Sequence, residues 1–430
     1  MPREIFAHQP NRNFIRSLIL TQSTARLVHC DHTGTYLTPP INIHDRPHTF
    51  IRLILGLSSA NESILGFDVS IQWTIHPVSG NKGVGTIEAL DEENVMTSYT
   101  LGANEPPFIQ AILGRGTTCW CATHPVNGER VVIKDSWRPD SRRSEGEFLD
   151  AARGIDGVVQ VISYQDRCAE TKDYRPSFTG ETSFENRVKS RAVLKRYGEC
   201  IDHFTSRFQA IAAFRDVIVG KRGIFHKDIS IQNILFGAPG AAPGSRGILI
   251  DLGMANWLSS PIEELRVNAF MGTRRFQSIA VLLSANTSCY PPYDHLDDLE
   301  SLFYVLCDLV LLFEKPGGKI LDSVNLNEVW DNPLPAAGAI AKSLSIFHSV
   351  FIKASDFWGG LCERLVVGFK DILRPAVEKK FMIRKPPPRR LVVGGEEKYE
   401  RLVEVGREWS CVEMLVWESD QAFRRYTSCD

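Results

Sequence analysis

The stretch GIFHKDISIQNILF, residues 223–236, places His226, Asp228 and Asn233 between two apolar runs in the pattern H-x-D-x-x-x-x-N. The chemistry served by this spacing is phosphoryl transfer. A carboxylate takes the proton of an attacking hydroxyl, and an amide oxygen further along the loop holds a magnesium ion. Asp228 is the candidate base, Asn233 the candidate metal ligand and His226 the structural partner of the loop. Eighteen residues after Asn233, GILIDLGMA ends a short apolar run in Asp251-Leu252-Gly253. Mg2+ takes hard oxygen ligands and keeps several waters, so Asp251 and Asn233 form the expected pair. An Asp before Gly at a strand end also forms turns; the pattern immediately upstream is what favours the metal role.

Elements that would position these groups follow in the right order. LGRGTTCWCA (113–122) offers Gly114 and Gly116 as the first glycines of a phosphate-cradling loop, where bare backbone N–H groups approach phosphate oxygens. Cys119 stands where the third glycine would be and Cys121 where valine is usual, so a plain hairpin turn explains the stretch equally well. RVVIK ends in Lys134, placed to grip the α- and β-phosphates of ATP. SEGEFLDAARG (144–154) reads as a helix with Ser144 as N-cap and Gly154 as its end. Its Glu145 is the expected partner of Lys134, with Glu147 as the alternative, although acidic residues in a first turn also suit the helix dipole. MGTRRFQSIAVLL (271–283) resembles the end of an activation segment, with the Thr273 hydroxyl bonding Asp228 and positioning the acceptor. DDLESLFYVL (297–306) opens a deeply apolar helix over 298–313, whose Asp298 would accept hydrogen bonds from the catalytic-loop backbone.

Around these lie FIRLILGL, ILGFDVSIQWTI (64–75) and VGTIEAL (84–90), read as strands or short buried segments. Strands are also expected in FIQAILGRG, TTCWCATH and ERVVIKDSW, with a turn at PVNG (125–128). Residues 200–222 form an amphipathic helix with Phe204, Phe208, Ile211, Ala212 and Phe214 on its apolar side. GAPGAAPGSRG (237–247) is a flexible loop, and RKPPPRR (384–390) reads as a linker before a tail with helix-like stretches.

A chain of 430 residues predicts two or three packed units. Its 43% hydrophobic and 23% charged residues are a globular mixture, and a net charge of −2 gives no global field for nucleic acid or an anionic membrane. Ten cysteines without a C-x-x-C pair predict neither a disulfide framework nor a zinc site. The apolar run at 301–313 is broken by Asp308 and too short for a bilayer. The opening MPREIFAHQPNRNF lacks the apolar core of a secretory signal. The expectation is an intracellular chain, in cytoplasm or nucleus.

LGRGT, VIKDSW, HKDIS..NIL, IDLGMA, GT..F and DDLESLFYVL together resemble the fungal-type protein kinases, over roughly residues 49–380. The resemblance implies an α+β, bilobal protein-kinase-like fold. Residues 1–105 would be a β-leaning extension packed on the small β-rich N-lobe (106–199), followed by a larger helical C-lobe (200–383) and a Pro/Arg linker and tail (384–430). It also implies ATP, Mg2+, a protein substrate and Ser/Thr kinase activity.

Several positions depart from ordinary kinases. Ser230 stands where Ser/Thr kinases carry a lysine on the γ-phosphate, Gln232 where tyrosine kinases carry an arginine, and Lys227 where the loop arginine would be. Ala280 replaces the glutamate that closes the activation segment with an ion pair. A missing cation removes transition-state stabilisation that magnesium, Lys134, Arg274 or Arg275 would have to supply. Two other readings stay open: a phosphotransferase of small molecules, which lacks the activation-segment-like GTRRF, and a pseudokinase scaffold.

Overall fold

The computed structural model describes residues 2–102, 107–110, 116–175, 184–220, 224–261, 265, 271–286, 292–319, 329–348 and 354–383. Gly114 and the 384–430 linker and tail lie outside the described residues. The chain divides into two compact units, residues 1–153 with 160–196, and residues 154–159 with 197–430.

The first unit is rich in β-structure. After α1 (Pro2–His8), the strands β1 (Phe14–Leu20), β2 (Thr24–Asp31), β3 (Gly34–Leu37) and β4 (Ile41–Asn42) form an antiparallel sheet with β2 between β1 and β3. A second, eight-stranded antiparallel sheet contains β5 (Ile71–Ile75), β6 (Lys82–Leu90), β7 (Met96–Leu101), β8 (Phe108–Gln110), β9 (Thr117–Thr123), β10 (Arg130–Pro139), β11 (Val161–Glu170) and β12 (Arg187–Lys195). Its order is β11-β12-β10-β9-β7-β6-β5, with β8 also on β9. The segment expected as an extension packed on the N-lobe therefore contributes β5–β7 to that lobe's own sheet. Helix α3 (Glu145–Ala151) packs on β11.

Strand alternation decides which β10 side chains share a face. Val131 and Ile133 enter the core with Ile71, Ile87, Tyr99 and Trp120, while Lys134 points to the other face. Asp135, on the Val131 side, meets Lys189 and Arg191 of β12 and Asp68 in a buried group of four charges. FIRLILGL is not a strand: it lies in α2 (Pro47–Leu57), which has Pro47 in its first turn and no buried residue. A short apolar run fits both periods, and here Ile51, Ile54 and Leu55 follow the helical one, on an exposed surface.

In the second unit α4 (Arg207–Gly220) is shorter than expected. Phe204 precedes it and Phe208 is 41% exposed, so Ala210, Ala213, Phe214 and Val217 make its buried face. Strand β13 (Ile224–Phe225) pairs with β16 (Asn256–Trp257), and β14 (Ile234–Phe236) with β15 (Gly247–Leu249). The 237–247 loop is the tip of the second hairpin. It is tied rather than loose, because Asp216 of α4 accepts from the Gly244 and Arg246 amides and from the Arg246 guanidinium. Helices α5 (Ile279–Leu283), α6 (His295–Leu312), α7 (Pro335–Phe347) and α8 (Gly359–Ile383) complete the unit. Residues 299, 302–307 and 309–310 of α6 are buried in its main core.

Candidate active site

Each hairpin end brings one candidate group into place. The 3-10 turn Ile231–Asn233 closes on the Ser230 carbonyl and delivers Asn233 at the start of β14. Its Nδ2 donates to Asp228 O at 2.7 Å, which leaves Oδ1 as the atom offered elsewhere. Asp251 follows β15 in the left-handed region, φ 64° and ψ 70°, a conformation Asp tolerates better than most residues. The Ile250 amide, next in the chain, bonds Asn233 O at 2.9 Å, coupling the two candidate metal ligands through backbone. One carboxylate and one amide oxygen suit Mg2+, which draws its remaining ligands from water and phosphate. Among the described residues no cluster of three or more His, Cys, Asp or Glu could hold a transition metal.

The loop carrying Asp228 is held from beneath. Asp298, fully buried on α6, accepts from the His226 amide at 2.8 Å, the Lys227 amide at 3.0 Å and the Tyr293 hydroxyl at 2.6 Å. The His226 ring bonds Ile250 O at 2.8 Å and takes the Asp228 amide on Nδ1 at 3.3 Å, which assigns the ring proton to Nε2. Lys227 is forced to φ 66°, costly for a side chain with no local polar group to compensate. Its amine bonds Asn256 Oδ1 at 2.7 Å and lies 5.4 Å from the Tyr293 ring.

Thr273 meets Asp228 as its residue type suggested, with its amide at 2.8 Å and its hydroxyl at 2.9 Å, both to Oδ1. Gly272 is required immediately before it: at φ 82°, an added Cβ would fall 2.7 Å from the Lys227 carbonyl. A small cleft beside these groups is lined by Asp228, Ile229, Thr273, Phe276 and Tyr293.

In the first unit, Lys134 Nζ bonds both oxygens of Glu145, at 2.7 and 2.9 Å, with both side chains 6% exposed. Ser144 caps the helix through the Gly146 amide. Glu147 is exposed and faces Arg143, so the helix phase selects Glu145. Gly116 has φ 49°, and an added Cβ would lie 2.3 Å from His32 Nδ1. His32 stacks on Trp137 at 4.6 Å, so the ring has little room to yield.

Two proposed compensations for Ser230 are not available as expected. Arg275 is paired with Asp308 of α6 at 2.6 Å, and Arg274 donates to the carbonyls of Asn332 and Pro333. These guanidiniums brace the segment against its own unit instead.

The model for the family described as fungal protein kinase matches residues 1–177 and 165–310, together the first 310 of 430 residues. The chain belongs to the fungal protein kinase family. It is therefore an enzyme of kinase type with a mixed α+β fold, β-rich in its N-terminal part and helical in its C-terminal part. No curated protein matches it. The family match begins at residue 1, so the sheet β1–β4 belongs to the family pattern, ahead of the residue-49 start read from the quoted motifs. No helix among the described residues is long and apolar enough to cross a membrane.

Sequence reasoning missed several residues that organise this candidate site. Asp297 accepts from Ser278 and pairs with Lys380, Glu300 accepts from the Ile279 amide, and Lys342 bonds the Gln277 carbonyl. One signal was present. A helix this apolar is buried on all sides, so its polar residues 297, 298, 300 and 308 must each have a partner inside.

Proposed function

We propose that the chain is an ATP- and magnesium-dependent protein kinase that transfers the γ-phosphoryl group to Ser or Thr hydroxyls of a protein substrate. Asp228 accepts the hydroxyl proton as the new O–P bond forms and the bond to the ADP leaving oxygen breaks. Asn233 and Asp251 would hold Mg2+, which neutralises charge on the phosphates. Lys134, oriented by Glu145, grips the phosphates, with Gly114 and Gly116 in the covering loop. The observation that carries this reading is the pair of hydrogen bonds that the Thr273 amide and hydroxyl donate to Asp228 Oδ1. It fixes the carboxylate and ties it to the segment that would receive a polypeptide acceptor, which favours a protein over a small alcohol.

Ser230 and the diverted Arg274 and Arg275 favour a second reading, a pseudokinase scaffold, and on the first reading predict slow turnover. The deciding measurement is the unfolding midpoint with and without Mg-ATP, against Asp251→Ala, followed by peptide phosphorylation against Asp228→Asn. Nucleotide at about a hundred times its Kd stabilises by roughly 2.7 kcal/mol. A shift that needs magnesium and is lost in Asp251→Ala, with peptide labelling abolished by Asp228→Asn, supports the kinase. No shift in a folded protein supports the scaffold, and labelling that persists in Asp228→Asn removes Asp228 as the base.

A further inference from the structure

The closing glutamate of an activation segment is absent at Ala280, yet residues 274–279 are firmly held. Lys342 of α7, fully buried, donates to the carbonyl of Gln277 at 2.6 Å and to that of Arg274 at 3.3 Å, and lies 4.2 Å from the Tyr304 ring. From the other side Glu300 of α6 accepts the Ile279 amide at 2.7 Å and the Tyr304 hydroxyl at 2.5 Å. Ser278, the N-cap of α5, donates to Asp297 at 2.6 Å. Most of these grips are on backbone atoms, and they add to the ion pair that the segment's own Arg275 makes with Asp308. The turn Arg274–Phe276 follows directly on Thr273, which bonds Asp228.

We propose that Lys342 is a positioning residue for phosphoryl transfer: with Glu300 it replaces the missing closing ion pair and sets Thr273 against Asp228. The inference rests on the kinase reading above. A lysine buried only to pack would be costly, because its amine must be desolvated; these donors instead serve two carbonyls of one functional segment. Burial presses Lys342 down to about 7, with Glu300 and Asp308 opposing and Arg275 assisting. It likewise presses Glu300 up to about 7, where the bonds from Tyr304 and Ile279 oppose. Lys342 also lies beyond residue 310, where the family match ends.

The test uses the full chain carrying Lys342→Met, and Lys342→Met/Glu300→Gln so that no unpaired buried carboxylate is left to unfold it. Amide hydrogen exchange is followed at 273, 276, 277, 279, 281 and 282 and, as reference, in the α6 core. Peptide kcat, the KM for ATP and the Mg-ATP thermal shift are measured alongside. Exchange in the segment should rise at least about tenfold, and peptide kcat fall by a similar factor, the worth of one charge-assisted hydrogen bond. The KM for ATP, the Mg-ATP shift and exchange in α6 should stay as in wild type. Wild-type exchange in the segment, a rise spread evenly through the second unit, or unchanged peptide kcat in the folded double variant each overturns the proposal. If wild type phosphorylates no peptide, the kinase reading fails by itself, and segment exchange alone decides whether Lys342 holds the segment.

Discussion

Asp298→Asn removes a single charge at the point where α6 holds the loop carrying Asp228, and its cost follows from the hydrogen bonds. The carboxylate accepts the His226 amide on Oδ2, and the Lys227 amide and Tyr293 hydroxyl on Oδ1. An amide can keep Oδ1 toward Lys227 and Tyr293, but its NH2 then faces the His226 N–H, donor against donor. One bond to a charged group is lost, worth about 1.5–3 kcal/mol, and a buried N–H is left unsatisfied at about 1–3 kcal/mol more. Lys227 is already at φ 66°, a conformation costing of order 1–3 kcal/mol, so the loop relaxes once released and recovers part of that loss. The expected net destabilisation is about 3 kcal/mol. For a unit of this size that lowers Tm by roughly 6–12 °C, at about 2–4 °C per kcal/mol. Scanning calorimetry of the full chain reads this, and a peptide assay should show kcat reduced at least about tenfold as Asp228 loses its fixed backbone. A variant within about 1 °C of wild type and with unchanged kcat would refute the reasoning.

Lys134→Met leaves Glu145 buried without its partner; it should abolish transfer and destabilise by about 3 kcal/mol. Adding Glu145→Gln should restore unfolding free energy but not activity, and restored activity would show that the lysine does not touch the reaction. Gly116→Ala should raise the KM for ATP and lower stability through both φ and the His32 clash. His32→Ala should relieve part of that penalty in a double-mutant cycle, whereas purely additive effects would exclude the contact. Acid should weaken the first unit. Burial alone would raise the Asp31 pKa, but bonds from His29 and Arg175 outweigh it and hold the group at about 2 against an ordinary 3.8. Burial likewise opposes Lys189 and Arg191 at Asp68, and the cations win, keeping it low. Depressed carboxylates give stability that is full above their unfolded value and lost as pH falls through the folded one. Urea unfolding should therefore weaken from about pH 4 downward, with a shallower slope in Asp31→Asn; an identical slope would exclude Asp31 as a source.

Much of the site was legible because its signals are local. The H-x-D-x-x-x-x-N spacing sets one tight loop, and a β-turn-sized segment has few ways to present an Asp and an Asn. The helix after Ser144 follows from a cap, and its phase separates Glu145 from Glu147. Strand alternation likewise puts Lys134 opposite Ile133. FIRLILGL shows where local reasoning fails: eight apolar-rich residues satisfy either period, and only neighbours settle which one is adopted.

Short stretches of chain, then, dictate which residue types stand at chemically meaningful spacings. Tertiary structure decided the partners. Nothing near Arg274 or Arg275 announces Asp308 or the 332–333 carbonyls, and nothing near Ala280 announces Lys342, 62 residues later, or Lys380, a hundred residues later. His32 lies far from Gly116 in sequence and reaches it because the β2–β3 hairpin end comes against β9 and β10. The physical reason is the same in each case. A buried polar group must find a partner wherever packing puts one, and packing is a property of the whole fold that no window of sequence contains.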